Sequence, residues 1–170
     1  PADLARRFEN AGAAMITIYS RAAAEEYSGS ADHQISAEVV RAVQVPVVIS
    51  GDIADAAGAR EALERTGAAG VMIGRAALGN PWVFRAIGEG AADPRPPLYE
   101  VIDELVGFSN DIVGVLGADN ACHYLRKFHS WYLVGRGVPE DQLQALMEDP
   151  TLDVALDRLA RLREAAILAA

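Results

Sequence analysis

The stretch GVMIGRAALGNPW, residues 70–82, joins a short apolar run to Gly74-Arg75 and then to a Gly-Asn-Pro turn. The apolar run has the length and composition of a buried strand. A glycine and an arginine after a strand, followed by a helix-starting sequence, are the parts of an anion site, because backbone N–H groups and a guanidinium both bind phosphate. Glycine after a strand also commonly marks a plain turn, and a lone arginine commonly pairs with a surface carboxylate. The stretch alone leaves both interpretations open.

Two further apolar runs precede this one, AAMITIYS at residues 13–20 and VPVVIS at residues 45–50. Helical patterns stand before and between the runs: ADLARRFENAG (2–12), SAEVVRAV (36–43) and DAAGAREALERTGA (55–68). We expect Ser36 and Asp55 to be the N-caps of the second and third helices. Strands that are apolar throughout are typical of parallel sheets covered by helices. Three such strands make a small sheet, so the pattern predicts a slice of a larger α/β fold.

The composition changes at DPRPP, residues 93–97, where the prolines predict a stiff linker. Four helical patterns separated by glycine or proline follow it. The sequence therefore predicts an α/β part over residues 1–92 and a small all-helical domain over residues 98–170.

Charge and composition exclude several classes of protein. The formal net charge of −9 argues against a surface coated for nucleic acid, although a local basic patch stays possible. No apolar run reaches the roughly 18 residues of a membrane span, and the start has no signal pattern, so we expect a soluble, cytoplasmic protein without a membrane partner. The single cysteine, Cys122, excludes an internal disulfide. Because the chain begins with Pro1 and a helix starts almost at once, we expect a fragment or a processed piece.

The carboxyl ends of parallel strands meet at one edge of a sheet, and ligands bind there. The residues that follow the three predicted strands are Tyr19-Ser20-Arg21, Ser50-Gly51-Asp52 and Gly74-Arg75. Two of these strand ends carry a glycine, which lets the backbone approach a ligand closely. The sequence therefore predicts a binding site, with a phosphate as the favoured ligand, at this edge.

The segment HYLRKFHSWY, residues 123–132, carries basic and aromatic side chains together. Such a mixture suits RNA, because cations contact phosphates and rings stack on bases. An amphipathic helix with its aromatic residues in a core is the alternative. His123 and His129 are six residues apart and so do not share a helix face, and no other His or Cys cluster supports a metal site.

Taken together, VPVVISGDI (45–53), TGAAGVMIGRAALGNPWVF (66–84) and LRKFHSWYL (125–133) resemble the second half of a tRNA-dihydrouridine synthase, over nearly the whole chain. This family of flavoenzymes reduces particular uridines in tRNA, with FMN as cofactor and NAD(P)H as reductant. The resemblance implies that residues 1–92 are the last three β/α units of a (β/α)8 TIM barrel. It also implies that residues 98–170 are the helical domain that helps to hold tRNA.

The resemblance also implies roles for individual residues. The residues that would contact FMN are Tyr19, Arg21, Ser50, Gly51 and Asp52, and Gly74 and Arg75 would hold its phosphate. Arg126 and Lys127 would face tRNA. This chain departs from the family pattern in having Tyr19 in place of a histidine and Ser50 in place of an asparagine.

The family's catalytic cysteine follows an earlier strand, which implies that the proton donor lies outside this chain. Cys122, on an apolar helix pattern, is expected to be a buried packing residue.

Two alternatives stay open. One is another FMN-binding or phosphate-binding barrel oxidoreductase that acts on small molecules. The other is a half-barrel that binds RNA or a protein partner without catalysis.

Overall fold

The structure, a computed structural model, describes residues 1–21, 30–90 and 96–170 of the chain. The chain divides into two compact units. The first comprises residues 1–77 and 81–94, and the second comprises residues 78–80 and 95–170. The predicted linker at residues 93–97 falls partly outside the described residues, at positions 93–95.

A parallel sheet forms the centre of the first unit. Within the described residues it has three strands in the order β1-β2-β3: β1 (Ile16–Tyr19), β2 (Val47–Ser50) and β3 (Gly70–Met72). Tyr19 lies opposite Ser50, and Ser50 lies opposite Met72. The carboxyl ends of all three strands therefore meet at one edge, as the sequence predicts.

Four helices belong to the first unit: α1 (Ala2–Asn10), α2 (His33–Ala42), α3 (Ala56–Thr66) and α4 (Trp82–Glu89). Val39 of α2 and Ala59 of α3 pack with Val47 and Ile49 of β2 in one buried cluster. One face of the sheet is thus covered by helices, which is the arrangement that continuously apolar strands require.

The caps of α2 and α3 test two sequence predictions. Asp55 caps α3 as expected, since its carboxylate accepts a hydrogen bond from the Gly58 N–H at 2.7 Å. The prediction that Ser36 caps α2 is wrong: α2 begins three residues earlier, and Asp32 caps it through the Gln34 N–H. Ser36 is instead fully buried, where its hydroxyl bonds to the Ser20 hydroxyl. A serine that satisfies its hydroxyl through a tertiary contact is free to lie inside a helix.

The second unit is helical in the residues that the structure describes there: α5 (Leu98–Leu116), α6 (Ala118–Leu133), α7 (Glu140–Glu148) and α8 (Leu152–Leu168). Leu125 and Cys122 of α6 and Leu152 of α8 are buried together, with Phe108 of α5 packed against them. The burial of Cys122 confirms its predicted packing role. None of the described helices is long and apolar enough to cross a membrane.

Candidate ligand-binding site at the end of the sheet

A cleft of about 510 Å³ opens at the carboxyl edge of the sheet. Its volume lies within the range of small-molecule sites, about 300–1,000 Å³. The last residues of the strands and the loops that follow β2 and β3 line this cleft. The lining residues are Tyr19, Ser50, Gly51, Asp52, Ile53, Ala54, Met72, Gly74, Arg75 and Ala76.

The backbone after β2 takes an unusual course at Gly51-Asp52. Both residues have positive φ, 129° at Gly51 and 51° at Asp52. Glycine is required at the first position, because a Cβ there would lie 2.7 Å from the Cβ of Ala31. Aspartate is among the few non-glycine residues that adopt positive φ with little strain. The turn brings the Asp52 carboxylate to the rim of the cleft.

The Asp52 carboxylate joins three segments of the first unit. Its Oδ1 accepts hydrogen bonds from the Arg21 guanidinium at 2.5 Å and from the Arg75 guanidinium at 3.2 Å. Its Oδ2 accepts one from the Ala31 N–H at 2.7 Å. One side chain on the loop after β2 therefore contacts the loops that follow both β1 and β3.

These contacts lower the pKa of Asp52 below its usual value. The hydrogen bond from the Ala31 N–H is the largest cause, and the Arg21 guanidinium adds to it. Arg75 acts in the same direction, whereas burial opposes them. The carboxylate is therefore ionised throughout the neutral range.

The loop after β3 leaves room for a ligand beside a cation. A Cβ on Gly74 would meet nothing within 4 Å. Arg75 begins a 3₁₀ turn, Arg75–Ala77, which the Ala77 N–H closes on the Gly74 carbonyl. The Arg75 side chain is 59% exposed. A bare glycine backbone next to an exposed guanidinium is an arrangement that accepts phosphate.

Six of the seven residues expected at the site line the cleft: Tyr19, Ser50, Gly51, Asp52, Gly74 and Arg75. The seventh, Arg21, has only 2% of its side chain exposed and lies behind Asp52. Met72, which the sequence analysis did not single out, also lines the cleft. The signal available for it was its place near the end of the third apolar run, because the carboxyl ends of parallel strands meet at one edge.

Arg126 and Lys127 lie side by side on α6 but have different surroundings. Arg126 is half-buried, and its guanidinium donates a hydrogen bond to the Asp149 carbonyl at 3.3 Å. Lys127 is exposed, with Nζ 4.3 Å from the centroid of the Tyr124 ring. Tyr124 and Trp131 are each 40% exposed. Both sequence interpretations of this helix therefore have support: it presents a lysine among exposed rings and also contributes to a core.

A buried polar cluster lies on the opposite side of α6. Arg158 of α8 donates two hydrogen bonds, of 2.9 and 2.8 Å, to the carboxylate of Asp149. His129 is 2% exposed, and burial lowers its pKa, while the Leu146 backbone and the Asp149 carboxylate act in the opposite sense. The part of the chain that the structure describes has no group of His, Cys, Asp and Glu able to hold a metal ion.

Comparison with known proteins gives a family match. Residues 1–169 match the family model described as "Dihydrouridine synthase (Dus)". A "Probable tRNA-dihydrouridine synthase" of Rhodobacter capsulatus is 41% identical over 163 residues, which cover 94% of this chain and 50% of that relative. The "tRNA-dihydrouridine synthase B" of Serratia marcescens is 36% identical, over 84% of this chain and 43% of that relative. A "Probable tRNA-dihydrouridine synthase" of Mycobacterium tuberculosis is 37% identical, over 92% and 42%. The chain thus spans about half the length of these curated relatives.

Proposed function

Because this chain belongs to the dihydrouridine synthase family, we propose that it is the C-terminal part of a tRNA-dihydrouridine synthase. The complete enzyme would reduce specific uridines in tRNA to 5,6-dihydrouridine, with FMN as cofactor and NAD(P)H as reductant. A tRNA substrate implies a cytoplasmic location. The chain's own contribution would be one end of the cofactor site and a helical unit for tRNA.

The observation that carries this proposal is the exposed Arg75 guanidinium beside Gly74 at the mouth of the cleft. The donor set fits the phosphate of FMN, because a guanidinium binds phosphate oxygens bidentately and a glycine backbone permits close approach. Bound there, FMN would supply the hydride that reduces the uracil ring.

The remaining lining residues would hold the ring system of the cofactor. Tyr19 and Met72 offer exposed aromatic and thioether surface at the ends of the two outer strands. The Ser50 hydroxyl, between them on β2, can donate or accept one hydrogen bond at a ring edge. The Tyr19 hydroxyl supplies a second neutral donor.

The proposed fold of the complete enzyme is a (β/α)8 barrel, of which β1, β2 and β3 would be the last three strands. The exposed sheet face supports this assignment. Thr17, Tyr19 and Met72 point away from the helix-covered core and are exposed. Side chains on that face of each strand fill the interior of a closed barrel.

The proton donor of the reaction would come from a residue outside these 170. Cys122, the one cysteine of the sequence, lies in the core of the helical unit, with its Sγ 3.8 Å from the Asp149 carbonyl. A thiol buried in this way is an inert packing group.

The proposed tRNA surface is the face of α6 that carries Tyr124, Lys127 and Trp131. Exposed rings stack on unpaired bases, and a lysine contacts phosphates. Arg126 would act beside this face chiefly by holding α6 to Asp149, since its guanidinium is half-buried there.

The first experiment compares the binding of FMN and riboflavin, which differ only in the phosphate. We expect the chain to bind FMN more tightly, and Arg75→Gln to weaken FMN binding by about tenfold or more while leaving riboflavin unchanged, because a charge-assisted contact to phosphate is lost. Arg85→Gln, at an exposed cation of α4, is the matched control and should change neither affinity.

Equal affinities for the two flavins would contradict the phosphate assignment. Binding of tRNA without binding of either flavin would instead support a non-catalytic, RNA-binding role. Within the complete enzyme, reduction of uridine in tRNA but not in free nucleotides would exclude an oxidoreductase that acts on small molecules.

A further inference from the structure

Asp52 lies at the cofactor end of the cleft, although it carries the charge that repels phosphate. Its Oδ1 contacts Arg21 and Arg75, and its Oδ2 contacts the Ala31 N–H. The carboxylate is 33% exposed, against 59% for the Arg75 side chain. Most of its hydrogen-bonding capacity is therefore directed into the protein, and Arg75 offers the larger surface to a ligand.

We infer that Asp52 is a positioning residue whose carboxylate holds the Arg75 guanidinium toward the phosphate position, with Arg21 and the Ala31 backbone as its anchor. The inference rests on the proposed function, because it concerns the orientation of the same phosphate-binding arginine.

The anchor is closely packed on its protein side. Arg21 is buried, and its guanidinium lies 2.5 Å from Oδ1. The preceding Gly51 packs so closely on Ala31 that no side chain fits there. These contacts determine where the carboxylate lies before any ligand arrives.

Arg75 needs such a partner because it lies on an exposed turn. A free arginine side chain populates many rotamers, and ordering it on ligand binding costs conformational entropy. A carboxylate fixed 3.2 Å from its Nη2 removes part of that disorder in advance. The guanidinium has five N–H donors in a planar fork, so it can contact a carboxylate and an anion together.

The negative charge of Asp52, considered alone, would weaken the binding of phosphate instead of supporting it. If Asp52 acted only through its charge, removing that charge would raise the local positive potential and tighten binding of an anion. Whether removal of the charge weakens or tightens FMN binding therefore distinguishes a positioning role from simple charge repulsion.

The decisive variant is Asp52→Asn in the full chain. Asparagine has nearly the same shape and also adopts positive φ, so the turn is preserved while the charge is lost. We expect the dissociation constant for FMN to rise about tenfold and that for riboflavin to stay within about twofold. Asp55→Asn, three residues away, also removes one negative charge. Asp55 is the N-cap of α3, and asparagine caps a helix equally well. This matched control should leave both constants unchanged.

A second comparison tests whether the effect passes through Arg75. In an Arg75→Gln background, Asp52→Asn should weaken FMN binding by less than about twofold, because residues that act as one unit are not additive. Tighter FMN binding by Asp52→Asn, an equal loss for FMN and riboflavin, or full additivity with Arg75→Gln would each overturn the inference.

A readout without ligand keeps this inference separate from the proposed function. If the wild-type chain binds neither flavin, the cofactor assignment fails, but the arrangement is still tested by ¹⁵N NMR of the arginine side chains. We expect Asp52→Asn to shift the guanidinium signals of both Arg21 and Arg75 and to speed hydrogen exchange at the Ala31 amide. An unchanged Arg75 signal would overturn the positioning role whatever the flavin result.

Discussion

At the scale of single residues, burial decides what an ionisable side chain does, and His129 of α6 is the clearest case. Burial lowers its pKa from the usual value near 6.5, so the folded chain holds this imidazole neutral. The charged groups that face it are Asp149, which raises the pKa, and Arg126, which lowers it. The free energy of unfolding of the helical unit should therefore depend on pH in the range where a histidine titrates.

We predict that the free energy of unfolding of the helical unit falls as the pH is lowered below about 6.5. The unfolded chain binds a proton on His129 in that window and the folded chain does not, so the slope approaches but does not exceed about 1.4 kcal/mol per pH unit. The loss continues down to the folded-state pKa. Urea denaturation followed by circular dichroism at several values between pH 7.5 and 5 measures it.

Two variants locate this effect. His129→Gln removes the titrating group and should flatten the dependence in that window. His123→Gln, at an exposed position of the same helix, should keep it. If the pH dependence persists in His129→Gln, another group causes it. Asp149 is not that group, because its pKa is lowered and its stabilising contribution is lost only at more acidic pH.

At the scale of elements, two glycines in the loop after β3 have different roles although they stand in the same short stretch. Gly79 has a φ of 68°, and a Cβ there would lie 2.0 Å from the Trp131 carbonyl oxygen of α6. Gly74 has open space where its Cβ would lie. Close packing within the helical unit therefore requires the first glycine, whereas packing among the described residues does not require the second.

We predict that Gly79→Ala lowers the free energy of unfolding by about 2 kcal/mol or more, because it combines a strained φ with an overlap against backbone that cannot move aside. Gly74→Ala should change stability by less than about 0.5 kcal/mol. Chemical denaturation of both variants measures the difference. Equal stability of the two variants would contradict this account of Gly79.

Local sequence pattern predicts most of the strands and helices of this chain, but not every helix start. The three strands and the helices are found where their apolar periodicity indicates, and Asp55 caps α3 as expected. The start of α2 differs, because Asp32 supplies a cap four residues before the serine that local pattern favours. Capping chemistry is local, but the buried contact of Ser36 with Ser20 is a tertiary feature that local pattern does not predict.

At the scale of the whole molecule, each of the two units has its own buried cluster. Ile49 of β2 is fully buried in the first unit, and Leu125 of α6 is fully buried in the second. Stability is thus distributed over two cores.

We predict that truncation of either core residue to alanine costs about 2–5 kcal/mol and speeds hydrogen exchange chiefly in its own unit. Ile49→Ala should expose the amides of β1, β2 and β3, and Leu125→Ala those of α5, α6 and α8. Hydrogen exchange followed by mass spectrometry measures this directly. The amides of residues 78–80, which belong to the second unit, should respond to Leu125→Ala. Similar acceleration in both units by either variant would contradict two separate cores.

By itself, the sequence determined the order of strands and helices and the edge of the sheet at which the cleft opens. Both follow from local rules: apolar periodicity defines each element, and parallel strands bring their carboxyl ends together. Tyr19, Ser50, Asp52 and Arg75 were found at the cleft for this reason.

Only the tertiary structure decided which charged groups pair. Arg21 and Asp52 are 31 positions apart and Arg126 and Asp149 are 23 apart, yet both pairs are in contact. Sequence pattern predicts neither pairing, because a side chain's partner and burial depend on how separate elements pack. That packing buries Arg21 behind Asp52 and leaves the Arg75 side chain 59% exposed, so the distribution of charge at the cleft depends on the fold as well as on the local sequence.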